Sequence, residues 1–371
     1  MHKFYKVLYD SSIYLQQPTH NAGRDEILEI GKVFYGDTRD VYRSLIKIDM
    51  SSLSASVDSG EMGNDWKAYI NLKSARSEGI PMEYTIYANA VSESWDMGRG
   101  TKFDGFLTGS SPLSGTIEQG VSWRYRNGIN RWQENTFGGS AVYEPYLTGS
   151  ANAEGGVWYI PYEASQHYSY ERDDIRMDIT DIVNGWIYNE FTNNGLILRH
   201  GLENEEDQLD YGVLKFFSKE TNTIYEPKLE ITWDDSVFNT GSLEPVTGSA
   251  EDGYKVVLTN FKTKYVKDSK VKIRVKGRDK YPQKSFGTTF EYDQAKYLPE
   301  TTYYQLEDYI TGEIVFPFGD YTKVSCDSIS NYFVMDLETL PMKRTYHLKL
   351  KIVEDGISTI IDDKLIFEIE E

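Results

Sequence analysis

Cysteine is almost absent: the 371 residues hold one, Cys326. That excludes an intramolecular disulfide framework. Large secreted β-proteins often carry disulfides, so the lack of them favours assembly in a reducing cytoplasm. No apolar run approaches the length of a membrane span. The N-terminus, MHKFYKVLYDSSIYL, has no apolar core of signal-peptide length, which predicts no export signal at this end. Positive charge is short as well. Lys and Arg number 39 against 58 Asp and Glu, for a net charge of −19, most of it carried by residues 1–235. Such a balance opposes nonspecific nucleic-acid binding, which needs Lys and Arg to release counterions from phosphates.

Catalytic signatures are missing too. His2, His20, His167, His200 and His347 show no HExxH spacing, no serine sits in GxSxG, and there is no phosphate-cradling GxxxxGK[ST] loop. Carboxylates cluster at Asp173-Asp174, Glu205-Glu206-Asp207 and Asp234-Asp235. A glycosidase needs two carboxyls flanking a sugar cleft, which sequence adjacency does not provide. These clusters read as solvated loops, and the chain as a non-enzyme with no catalytic residues. No cofactor is expected. Asp173, Asp174, Asp178 and Asp181 could supply part of the about six to eight oxygens that a bound calcium takes, but without EF-hand spacing.

Aromatics are plentiful: 29 Tyr, 16 Phe and 7 Trp. With many β-branched and turn residues, this favours an all-β protein. SLIKIDM (residues 44–50) alternates Ile46, Ile48 and Met50 with Lys47 and Asp49, the period of a half-buried strand. Residues 51–64 read as a loop, and residues 66–72 and 82–90 as the next strands. In DDIRMDITDIVNGWIYNEFTNNGLILR (residues 173–199), Ile182, Val183, Trp186, Ile187 and Phe191 recur at helical spacing. Thr180 is the expected N-cap and Asn194-Gly195 the expected stop. One short helix is thus expected to pack on a sheet, with Trp186 as its anchor. Residues 97–170 form a Gly- and aromatic-rich insert. Its rings Trp123, Tyr125, Trp132, Trp158 and Tyr159 either stack on sugar or fill the insert's own core or a neighbouring subunit's groove.

Asp234 to Ala250 lacks periodicity and is rich in Ser, Thr, Gly and Pro. The expected division is therefore a domain at 1–235, a linker at 236–250 and a second domain at 251–371. The second alternates strongly: Val271, Ile273 and Val275, then Tyr346, Leu348, Leu350 and Ile352, then Leu365, Phe367 and Ile369 point inward. Asp355-Gly356 and Asp362-Asp363 mark turns. About 120 residues of this kind fit an immunoglobulin-like β-sandwich. Lys262, Lys264, Lys267, Lys270, Lys272 and Arg274 make a basic stretch that reads either as the outward row of a strand or as a docking patch for an acidic partner.

The blocks NAGRDEILEIG (21–31), SLIKIDMSSL (44–53), YTIYANAVSESWD (84–96), GVSW (120–123), IRMDITDIVNGW (175–186), NNGLILR (193–199) and FFSKET with YEPKLEITW (216–221, 225–233) occur in an order that resembles the DNRLRE-type β-sandwich domains. These are jelly-roll modules similar to carbohydrate-binding modules. The namesake string is absent, and VYRSLIKIDM from Val41 takes its place. The insert, with its GGVWY stretch (155–159), and the immunoglobulin-like tail resemble virion structural proteins of tailed bacteriophages. The resemblance implies an N-terminal jelly-roll β-sandwich and a non-enzymatic structural protein of a virion: decoration, neck, collar, tail or fibre. It would be assembled in the host cytoplasm with other virion proteins as partners, alone or as a homo-oligomer. The alternative it implies is a carbohydrate-binding module that attaches to host-surface or environmental polysaccharide. Neither reading takes a nucleic acid or a membrane span as partner.

Overall fold

A computed structural model describes residues 1–60, 62, 65–102, 120–133, 142–143, 146–148, 152–169, 174–281, 295–338 and 340–371. The protein is all-β and multi-sheeted, as expected. It divides into two compact units, one of residues 5–59 and 67–230, the other of residues 1–4, 60–66 and 231–371. The expected linker, residues 236–250, is bonded into the second unit through bridges of Phe238 to Cys326 and Pro245 to Tyr297.

Among the described residues the N-terminal half builds a 12-stranded sheet and a 3-stranded one. The strand Thr38–Ile48 lies at the centre of the large sheet, antiparallel to His2–Tyr14 on one side and to Leu196–His200 on the other. Beyond Leu196–His200 come Glu83–Val91 and then Trp158–Ser169. The pairing order does not close this sheet into a barrel. One apolar cluster joins Ile13, Val41, Leu45, Val91 and Ile197 from these strands to Trp95, Val121, Trp123, Trp132, Val157 and Trp158.

Three α-helices, not one, are described. α1 (Ser51–Asp58) occupies the expected loop. Only Leu53 and Val57 mark an apolar side, so periodicity misses it. Its start is held by Asp49, whose carboxylate accepts from the Ser51 N–H at 3.0 Å and the Ser51 hydroxyl at 2.8 Å. α2 (Thr180–Ile187) is the expected helix. Its N-cap is Ile179, one residue earlier than read, and the Thr180 hydroxyl instead accepts from the Ala68 N–H at 3.0 Å. α3 (Leu202–Glu206) is a short turn that carries buried Glu205.

The second unit holds a 4-stranded and a 5-stranded sheet. Their inner faces supply a single core: Tyr254, Ile273, Val275, Phe333 and Met335 from the first, with Leu306, Leu348, Leu350, Phe367 and Ile369 from the second. Asp355 and Gly356 have φ of 49° and 79° between the strands Thr345–Glu354 and Ile357–Glu370, the left-handed pair a two-residue hairpin needs. Asp362-Asp363 is no turn. It lies inside the strand Ile357–Glu370, where Lys364 at φ 54° and a register shift mark a bulge that keeps the strand continuous.

Candidate functional site

Of the insert's five rings, read either as sugar contacts or as filling a core or a groove, four are buried. Trp123 and Trp132 are fully buried, Trp158 is 1% exposed and Tyr159 3%. Tyr125 is half-buried, bridged to Arg131, whose guanidinium lies 5.9 Å from its ring. The cause is a charged pair beneath the insert. Arg43, on the strand Thr38–Ile48, forms a two-pronged salt bridge to Glu205 of α3, and both side chains are fully buried. The guanidinium lies 4.8 Å from the Trp123 ring and 5.3 Å from that of Trp158, and donates to the Gly155 carbonyl at 2.6 Å. A Cβ on Gly155 would sit 2.7 Å from the Arg43 Nη1 and 2.8 Å from Trp123, at a φ of +83°. The indoles therefore cover an ion pair, and have no face left for a sugar or a partner chain.

The basic stretch is exposed but largely committed. Lys264 pairs with Glu370, and Lys272 and Arg274 both reach Asp327, at 3.2 and 2.9 Å. The ammonium of Lys272 also sits 3.4 Å from the Tyr332 ring. The Arg274 hydrogen bond, the largest cause, holds the Asp327 carboxyl far below its ordinary range. Lys262 and Lys270 are exposed and Lys267 half-exposed. Of the calcium candidates, Asp173 lies outside the described residues. Asp174 takes the Ser74 N–H and Lys73, and Asp178 takes the Thr180 N–H and hydroxyl. Among the described residues no group of three or more His, Cys, Asp or Glu could hold a metal ion. No helix there is long and apolar enough to cross a membrane.

A cleft lies where the sequence marked a helix stop. It has a volume of about 780 Å³ and lies entirely within the N-terminal unit, in the size range of about 300–1,000 Å³ typical of ligand sites. Segment 92–94 forms one wall and segment 189–194 another, with Arg126, Gln133, Tyr159 and Trp186 between. The end of α2 shapes it. Asn189 adopts φ 56°, its N–H reaches the Trp186 carbonyl and the Glu190 N–H the Gly185 carbonyl at 2.9 Å. This double bond pattern, with Asn in the left-handed position, ends the helix. The stop is thus at Asn189, and Gly195, at φ +89°, serves another need: a Cβ there would sit 2.3 Å from the Ile46 carbonyl oxygen.

The chain then turns back so that Phe191 packs on the helix. A Cβ on Gly185 would lie 2.3 Å from the Phe191 ring. Phe191 in turn stands 4.8 Å from Tyr159 and 4.3 Å from Tyr162. The Tyr162 phenol donates to Glu190, and this bond is the main cause that raises its pKa above the ordinary range. Glu93 accepts the Gln133 N–H at 3.1 Å. The Arg126 Nη1 donates to the Ser94 carbonyl and hydroxyl at 2.9 and 3.2 Å. Asn193 and Asn194 brace the wall by donating to the Ile48 and Ser92 carbonyls at 3.0 and 3.1 Å. Two buried polar atoms of the lining, the Ser92 hydroxyl and the Trp186 indole nitrogen, have no hydrogen-bond partner among the described residues.

Of the rings picked from the sequence, only Tyr159 lines this cleft. Trp186 lines it as well as anchoring α2, at 5% exposure. The missed residues carry a visible signal, the run NEFTNN after the helix, which packs amides, a carboxylate and a ring into a stretch too polar to continue it.

No protein-family model and no curated protein matches the chain. Among solved structures, a β-glucuronidase of Parabacteroides merdae with glycerol in its active site aligns at 10% identity and a TM-score of 0.16, covering 82% of this chain and 28% of that one. The chain thus spans under a third of that protein's length, and a likeness so shallow carries no argument about fold or activity.

Proposed function

We propose that this chain is a non-enzymatic attachment protein that binds carbohydrate through the cleft of its N-terminal unit, a jelly-roll-like module followed by an immunoglobulin-like one. The observation that carries the reading is the lining: Tyr159, Trp186 and Phe191 beside the amides, hydroxyls and carboxylates of segments 92–94 and 189–194. Sugars present hydroxyls along their edges and C–H groups on their faces, so a site of this mixed chemistry suits them. The whole chain, run by affinity electrophoresis through a panel of neutral and acidic polysaccharides, is expected to be retarded by at least one. Thr192 is exposed at the cleft, and Thr192→Trp would fill it. Retardation by none of the polymers would overturn the carbohydrate reading, and retardation that survives Thr192→Trp would remove the cleft from it.

A second reading, a structural part of a tailed-phage particle, is favoured by apolar side chains left outward on the second unit. Ile357 and Ile360 are 67% and 57% exposed on one strand, and Tyr309 and Ile310 are 56% and 69% exposed at a hairpin. Side chains of this kind are suited to packing against other virion proteins. Electron microscopy of an intact particle would locate the chain or fail to find it.

A further inference from the structure

We propose that the cleft selects uncharged saccharides over acidic ones, and that Glu190 is the residue that sets the choice. This rests on the carbohydrate reading above. Among the described residues the lining carries two carboxylates, Glu93 and Glu190, against one guanidinium, Arg126. Arg126 is turned to its own wall, since its Nη1 is engaged by the Ser94 carbonyl and hydroxyl. Glu93 is 8% exposed and bonded to the Gln133 backbone, so its charge sits fixed within the wall. Glu190 is exposed, held in place by the Tyr162 phenol. A uronate or sulfate entering the cleft meets this second negative charge first, within a chain of net charge −19.

An uncharged sugar meets no such opposition. Its hydroxyls can donate to the carboxylates and accept from the amides of segment 189–194.

For like charges about 6 Å apart at an effective dielectric of about 20–40, Coulomb repulsion corresponds to about a ten- to hundredfold loss of affinity. The test is calorimetric titration of the whole chain with an uncharged polysaccharide taken from the panel and with a polyuronate. The wild type is expected to prefer the uncharged polymer by tenfold or more. Glu190→Gln is expected to narrow that preference by about tenfold, and about 1 M salt to narrow it in the wild type, as screening demands. Tyr162→Phe removes the hydrogen bond while keeping the charge, and is expected to leave the preference intact. Equal binding of the polyuronate by the wild type, or a preference unmoved by Glu190→Gln, would overturn the selection while leaving carbohydrate binding standing. Binding of neither polymer class would overturn both.

Discussion

Replacing Arg43 by methionine takes the counter-charge from Glu205 where neither side chain touches solvent. An uncompensated buried carboxylate costs about 3–5 kcal/mol. Loss of the cation's contact with the Trp123 and Trp158 rings adds about 1–2 kcal/mol. The Gly155 carbonyl, which accepts from Arg43 at 2.6 Å, loses that donor as well. For a unit of this size, about 2–4 °C of melting temperature follows each kcal/mol, so the transition should fall by about 8–28 °C. The decisive comparison is the double variant Arg43→Met, Glu205→Leu. Exchanging both partners for apolar groups of similar volume removes the stranded charge, and such exchanges are often neutral. Urea unfolding followed by tryptophan fluorescence should therefore show the double variant regaining at least about 2 kcal/mol of the single variant's loss. A single variant that loses under about 1 kcal/mol, or a double variant that loses the sum of both singles, would refute the view that the indoles exist to cover this pair.

Burial is the main cause that pushes the Asp10 carboxyl up to about 7, above its ordinary value near 4. Between those two values the folded state binds the proton that the unfolded state has released, so this group's contribution falls as pH rises from about 4 to 7 and is flat above. Asp10→Asn should accordingly gain stability relative to the wild type across that window in urea titrations at several pH values, and a constant difference would contradict the assignment. Deleting residues 98–156 with a short Gly/Ser bridge removes Trp123, Trp132 and Gly155 together, and is expected to yield a chain whose N-terminal unit no longer melts cooperatively in calorimetry; an intact transition would show that the rings are dispensable.

The strands and α2 were legible because alternation and helical spacing leave marks at single-residue resolution. Ile273 and Val275, Tyr346 to Ile352, and Phe367 and Ile369 point inward as their period demands. The role of the insert's rings was not legible, because what decides it is an ion pair between residues 43 and 205 that no local pattern announces. A Trp in a Gly-rich stretch looks the same whether it awaits a ligand or lies over an arginine. The bulge at Lys364 was misread for a related reason. Asp-Asp after an apolar run has turn chemistry, yet the strand continues because Leu365, Phe367 and Ile369 still have a core to fill. The cleft was the least visible feature, since its walls come from segments far apart in the chain and its residues are ordinary polar ones.

The final strand, Ile357–Glu370, runs antiparallel to Thr345–Glu354 on one side and parallel to Lys264–Val266 on the other. Mechanical load makes these two edges unlike. Tension applied between Tyr254 and Glu370 would drag the parallel pair in opposite directions along its length. Its bonds, Lys264 to Val266 against Glu368 to Glu370, are then sheared together rather than opened in turn. The hairpin beside it is gripped at its tip by Asp355-Gly356 and would peel from its open end. The shear-loaded edge is the short strand Lys264–Val266.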